Sequence, residues 1–192
     1  MGKFKRVPAD VPVSDLSPLN ISCGSTKCDS GLHCFTVHQD AAKKKFGVTS
    51  VCYECGRKLD SWDRLHLNNI KDSKFVFKEL QNELIRHVYW HMPINKVDKE
   101  KALKKGLVKI KDEIIKRITT EIGVAKPFRG GYTPYYGNII YYGQHATASC
   151  CRQCIEHWHG IPVGRAMTKD EIEYLSSLVL EYIEERVPEL KQ

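Results

Sequence analysis

Long apolar runs are missing from this chain. No stretch approaches the roughly 18 residues that a membrane-crossing helix needs. The opening segment, Met1 to Pro18, carries Lys3, Lys5 and Arg6 but lacks the apolar stretch of a secretory signal. Export by that route is therefore not expected, and the reading is a cytoplasmic protein with no membrane partner. Repeats at a solenoid period are absent as well. Disulfides are rare in a reducing compartment, so the eight cysteines among 192 residues read as thiolate ligands or buried thiols. A chain of this length can build a core without staples. Its cysteines therefore need a local explanation.

What is present begins with charge. The formal net charge is +7, which favours anionic partners such as nucleic acid, although many soluble proteins of this balance bind nothing charged. The charge is unevenly placed. Residues 95–117 hold nine Lys or Arg against four Asp or Glu, whereas residues 168–192 hold three against seven. The basic stretch suits phosphates, through Lys104, Lys105, Lys109, Lys116 and Arg117, or else forms a solvated lysine face.

The pattern predicts an α+β chain in three parts. Residues 1–20 are an extended lead-in, with Pro8, Pro12 and Pro18 opposing helix. Residues 21–70 form a small zinc-ribbon-like domain, with strands expected over 31–38 and 48–53 and glycines at the turns. Residues 71–192 form a mostly helical domain. Helices are expected over 73–91, over 96–122 with an interruption near Gly106, over 144–159, and over 168–186. Thr168 followed by Glu171 is a capping box for the last of these. Residues 128–143 read as a loop with a short hairpin.

Three constellations carry chemistry. In the first, Cys23 and Cys28 form C-x4-C, and Cys52 and Cys55 form C-x2-C followed by Gly56. Two such pairs present four thiolates to one tetrahedral ion, and four protein ligands make a closed, structural site. His33, Cys34 and His38 lie nearby, with Cys34 the first replacement should Cys23 not be a ligand. In the second, Cys150, Cys151 and Cys154 stand between His145 and His159. Helical spacing brings two of the three cysteines to one side. A zinc site from two of them with His145 and His159 is chemically reasonable, an iron–sulfur cluster less so, and a helix of buried cysteines is the competing reading. In the third, Glu83, His87 and His91 recur every four residues, although the arrangement is not the H-E-x-x-H of zinc hydrolases. Interior, satisfied histidines are the simpler account.

The segment Gln144-His145-Ala146-Thr147-Ala148, then Cys150-Cys151-Arg152-Gln153-Cys154, then Trp158-His159-Gly160-Ile161-Pro162 and Gly164-Arg165 resembles a family of small bacterial proteins known only as a domain of unknown function. The resemblance covers residues from about 100 to 186. It implies no activity. The Cys-rich front lies outside the short members of that family.

Between Phe128 and Tyr142 stand five tyrosines, Arg129 and three glycines. Rings beside glycines and a cationic helix suit base stacking, while tyrosine is also an ordinary hairpin residue. Two functions follow as expectations. One is a DNA-processing enzyme, glycosylase-like or hydrolytic, serving repair or defence against foreign modified DNA. Tyr135, Tyr136, Tyr141 and Tyr142 would wall its pocket, Asn138 and Gln144 would orient the base, and His145 would be the acid, the base or part of an open metal site. Arg129 and Arg152 would join the lysines on phosphates. The other is a non-enzymatic, zinc-dependent module that binds nucleic acid or protein.

Overall fold

A computed structural model describes residues 21–191. The expected lead-in over 1–20 lies outside the described residues. The described chain is mostly helical. Its helices are α1 (Gln39–Phe46), α2 (Trp62–Leu65), α3 (Ser73–Leu80), α4 (Leu84–His91), α5 (Lys96–Lys105), α6 (Leu107–Arg117), α7 (Ile139–Ala146), α8 (Arg152–His159) and α9 (Lys169–Arg186). Among the described residues no helix is long and apolar enough to cross a membrane.

The strands expected in the Cys-rich front reduce to isolated bridges, Lys27 with Leu32 and Val51 with Lys58, and α1 occupies the stretch between them. The helix expected over 73–91 is two helices. Glu83 is extended (φ −94°, ψ 127°), and its neighbours pair with His33 instead: His33 N donates to Asn82 O (2.8 Å) and Leu84 N to His33 O (2.9 Å). The interruption at Gly106 is real, with φ 77° and ψ 160° separating α5 from α6. Within the loop and hairpin expected over 128–143, the C-terminal part is instead the start of α7, capped by the Asn138 side chain accepting from Ile140 N (3.1 Å). The capping box of Thr168 and Glu171 starts α9 with both of its bonds formed.

Burial of α4, α7 and α9 against one another makes the centre of the fold. Gly143 permits the approach of α7 to α9: a Cβ there would lie 2.9 Å from Val179 Cγ1. The front and the helical part share a single core, in which Ile21, Phe35, Cys52 and Leu59 join the helical residues. Trp158 of α8 is fully buried at the junction, with the ring of Phe35 edge-on at 6.0 Å and that of Trp62 at 5.1 Å.

Candidate metal centres

Two tight turns build the first centre. Lys27 and Leu32 exchange backbone bonds (2.7 and 3.1 Å), with Gly31 left-handed at φ 73°. In the second turn Cys52 N donates to Arg57 O (2.9 Å) and Gly56 N to Cys52 O (2.8 Å), with Gly56 at φ 77°. The left-handed corners are where glycine is the unstrained residue. Together the turns gather Cys28, His33, Cys52 and Cys55, whose ligand atoms all lie within 4.8 Å of one another. Cys28 Sγ is 3.8 Å from Cys52 Sγ, and Cys55 Sγ is 3.4 Å from His33 Nδ1. Ligands at zinc bond lengths in a tetrahedron stand about 3.8 Å apart for two sulfurs and about 3.5 Å for sulfur and nitrogen. Burial, with the Arg57 charge nearby, lowers the His33 imidazole from its usual range, which favours the neutral form that ligates metal. Burial, with Cys55 and Cys52 alongside, pushes the Cys28 thiol up to about 12. Crowded thiols of this kind give up their protons when a divalent cation takes their place. The groove beside this centre, of about 890 Å³, is lined by Cys28, His33, Cys55, Arg57, Lys58 and Asn82 among others.

Cys23, expected in this first group, is elsewhere. Its thiol interacts with those of Cys150 and Cys154. Cys150, Cys151 and Cys154 form the second group, again with all sulfurs within 4.8 Å.

Helical spacing does not present these three thiols. Cys150 and Cys151 stand at a break between α7 and α8, where Ala148 is left-handed (φ 54°) and Cys151 is the extended N-cap of α8, while Cys154 lies in the first turn of α8. A non-glycine residue in that conformation is strained by roughly 1 kcal/mol, and buried polar residues of the motif hold it there. Ser149 N donates to Gln144 O (2.8 Å), and Gln144 Nε2 donates to Ser149 O (3.2 Å). Thr147 Oγ1 donates to Gly143 O (2.8 Å) and shares a bond with Ser149 Oγ (2.9 Å). His159 Nε2 lies 2.9 Å from Thr147 O, and its Nδ1 is 3.3 Å from the Tyr174 hydroxyl. His159 is therefore a brace for the cysteine turn and stands outside both ligand groups.

Arg86 and Glu83 tie this turn to the front. Both side chains are wholly buried and paired at 3.1 Å. Arg86 Nη1 donates to His145 O (2.8 Å) and Cys150 Sγ (3.5 Å), and Nη2 donates to Cys154 Sγ (3.0 Å). Glu83 accepts from Phe35 N, Thr36 N, Thr36 Oγ1 and Trp158 Nε1 at 2.9, 3.1, 2.9 and 2.9 Å. His87 and His91 stack on each other, with centroids 4.1 Å apart. The expected Glu-His-His stripe thus dissolves, because its carboxylate turns into the interior.

The residues expected to be catalytic are also structural in position. His145 is 3 % exposed. Its ring is stacked between Tyr89 and Tyr135 at 4.7 and 5.0 Å, and its Nε2 donates to the carbonyls of Thr133 and Pro134 (3.2 Å each). Desolvation lowers its pKa to about 4. Gln144 is wholly buried and accepts from Arg117 Nε (2.7 Å). Arg117 also pairs with Glu121 and lies 4.8 Å over the Tyr141 ring. Arg152 is buried and donates to the carbonyls of Pro162 and Arg165. Lys105 pairs with Glu113 (2.7 Å), and Lys104, Lys109 and Lys116 are exposed. Of the expected stacking tyrosines, Tyr142 is buried, Tyr135 and Tyr141 are half-buried, and Tyr136 is 55 % exposed. Two rings outside that expected set are also open, Phe128 at 84 % and Tyr132 at 54 %. Their signal in the sequence is position: they flank the left-handed run Arg129, Gly130 and Gly131 (φ 50°, 71° and 76°), of which Arg129 and Gly130 are exposed and Gly131 is buried.

Residues 74–184 match the family described as Domain of unknown function (DUF4186). The chain belongs to this family. The match runs from α3 into α9 and takes in the second ligand group and its turn, while Cys23, Cys28, His33, Cys52 and Cys55 precede it. No solved structure matches the chain.

Proposed function

We propose that this member of the family is a non-enzymatic binding module, organised by two structural zinc ions, that takes single-stranded nucleic acid on its exposed aromatic loop. The observation that carries the binding is the loop itself. Phe128, Tyr132 and Tyr136 hold their rings in solvent, with the Arg129 guanidinium 5.4 Å from the Phe128 ring. Rings in water beside a cation suit unpaired bases, which have two faces to stack. The lysine-bearing helices adjoin this loop: Asp98 of α5 accepts from Gly137 N (3.1 Å), and Arg117 of α6 reaches Thr133 Oγ1 (3.4 Å). Exposed Lys104, Lys109 and Lys116 add positive charge that phosphates would neutralise.

Zinc is the metal that fits the ligands. Three thiolates and one imidazole make a complete tetrahedral set at the first centre, and such sets are structural. Sulfurs within 4.8 Å of one another at the second suit a single ion, because a cluster spreads its thiolates over several irons. In this reading the bridged turns of the front act as a minimal zinc ribbon. The enzymatic alternative lacks this kind of support, since His145 and Gln144 are buried and bonded within the fold and the Asn138 side chain caps α7.

The test is fluorescence anisotropy with labelled single-stranded and duplex oligonucleotides across a salt series. Single strands are expected to bind with an affinity that falls as salt rises. Replacing Phe128, Tyr132 and Tyr136 together by Ala is expected to weaken binding by about 1–3 kcal/mol for each stacked base. Binding indifferent to both salt and the rings would overturn the proposal. Alkali-revealed abasic sites that disappear in His145→Ala would return the enzyme to first place.

A further inference from the structure

The second ligand group has three cysteines inside the family-matched stretch, and a tetrahedral ion needs a fourth ligand. The histidines that flank the motif do not supply it. His159 has both ring nitrogens beside oxygen partners, and His145 is clamped between two tyrosines with its Nε2 on the carbonyls of Thr133 and Pro134. What does reach the thiols comes from the other end of the chain. Cys23 stands outside the trio that lies within 4.8 Å, yet its thiol interacts with those of Cys150 and Cys154, and its own carbonyl accepts from the Cys34 thiol (2.8 Å), which fixes its backbone against the front.

We infer that Cys23 completes a four-thiolate metal centre with Cys150, Cys151 and Cys154, so that a residue preceding the family domain closes that domain's own metal site. The inference rests on reading the thiol groups as metal centres. It does not depend on nucleic-acid binding.

Charge supports four thiolates rather than three and a neutral ligand. Four thiolates around a divalent ion carry a net double negative charge. Arg86, whose guanidinium is always protonated, is wholly buried and donates directly to two of the sulfurs. Donors aimed at ligand sulfurs are how outer groups orient and stabilise a thiolate centre. Glu83 pairs with Arg86 through Nε, which leaves Nη1 and Nη2 to donate to the sulfurs. The consequence is architectural. The second ion joins residue 23 to residues 150–154 and locks the front onto α8, beside the Phe35–Trp158 contact.

The experiment uses the full chain loaded with zinc alone. Thiols are alkylated and each cysteine's labelling is followed by peptide mass spectrometry, with and without a chelator. Cys23 is expected to be protected in the zinc-loaded chain and to become reactive in step with Cys150, Cys151 and Cys154 when zinc is withdrawn. In parallel, Cys23→Ser is expected to release one zinc ion to a competing chromophoric chelator at least about tenfold faster than the parent chain. Labelling of Cys23 while the other three stay protected would overturn the inference and leave the metal reading intact. So would a Cys23→Ser chain that holds both ions as tightly as the parent. A chain that binds no zinc would overturn both. The labelling arm needs no variant, so a misfolded Cys23→Ser protein would not block the decision.

Discussion

Replacing Glu83 by Gln tests the buried joint between the front and the helical part. The parent carboxylate accepts on Oε1 from Phe35 N, Thr36 N and Thr36 Oγ1, and on Oε2 from Arg86 Nε and Trp158 Nε1. An amide keeps one oxygen. Its NH2 must then face either the two backbone donors or Arg86 and Trp158, and donors facing donors are left unsatisfied. The charge that balances wholly buried Arg86 also disappears. Removing one partner of a buried ion pair costs about 3–5 kcal/mol, the larger part of the stability of a marginal domain. Urea denaturation under saturating zinc, followed by far-ultraviolet circular dichroism and by tryptophan fluorescence, measures the loss. Trp158 reports locally, since its indole NH is one of the five donors. Glu83→Gln combined with Arg86→Leu is expected to cost less than the two single changes added together, because neither then leaves a lone buried charge. A loss below about 1 kcal/mol for Glu83→Gln would refute the reasoning, showing the network to be relaxed by water or rearrangement.

Other consequences follow from the same contacts. Burial lowers the His159 pKa from 6.5 to about 4, so between those values the unfolded chain binds more protons than the folded one, and stability is lost as pH falls through that window. The loss attributable to this residue is on the order of 3 kcal/mol, read as the difference in pH slope between the parent and His159→Asn in chemical denaturation. Gly143→Ala places a methyl 2.9 Å from Val179 Cγ1 and is expected to cost about 1–3 kcal/mol in a thermal or urea melt; an unchanged midpoint would mean that α7 and α9 are free to separate. Single-strand binding by the exposed aromatic loop is expected to survive Tyr142→Phe, whose hydroxyl is buried near Asp98 (3.5 Å), and to fall on Phe128→Ala, as measured by anisotropy.

Local signals in the sequence located the parts that depend on local physics. The box of Thr168 and Glu171, the break at Gly106 and the C-x2-C-G turn at Cys52–Cys55 all rest on neighbours within a few residues, and the structure has each of them. The family motif marked the cysteine turn, and the structure adds why it is long: Gln144, Thr147, Ser149 and His159 are its internal braces. Contacts distant in sequence were not legible. Cys23 and Cys28 have ligand spacing, yet they face different groups, and His33 takes the place expected of Cys23 because its backbone pairs with residues 82 and 84. The split at Glu83 has the same cause, since a continuous helix there would forgo that pairing. The apolar run at 139–142 is too short for its period to distinguish strand from helix. Packing of Gly143 against Val179 favours the helix, and the tyrosines on it divide between core and surface accordingly.

Metal content settles the matter most directly. Protein purified without added metal is to be assayed for zinc and iron by mass spectrometry, with circular dichroism recorded before and after a strong chelator. The expected result is about two zinc ions per chain, one for each ligand group, and loss of tertiary structure on chelation. A chain that carries neither metal, keeps its fold and ignores the chelator would contradict a metal-holding role for its cysteines.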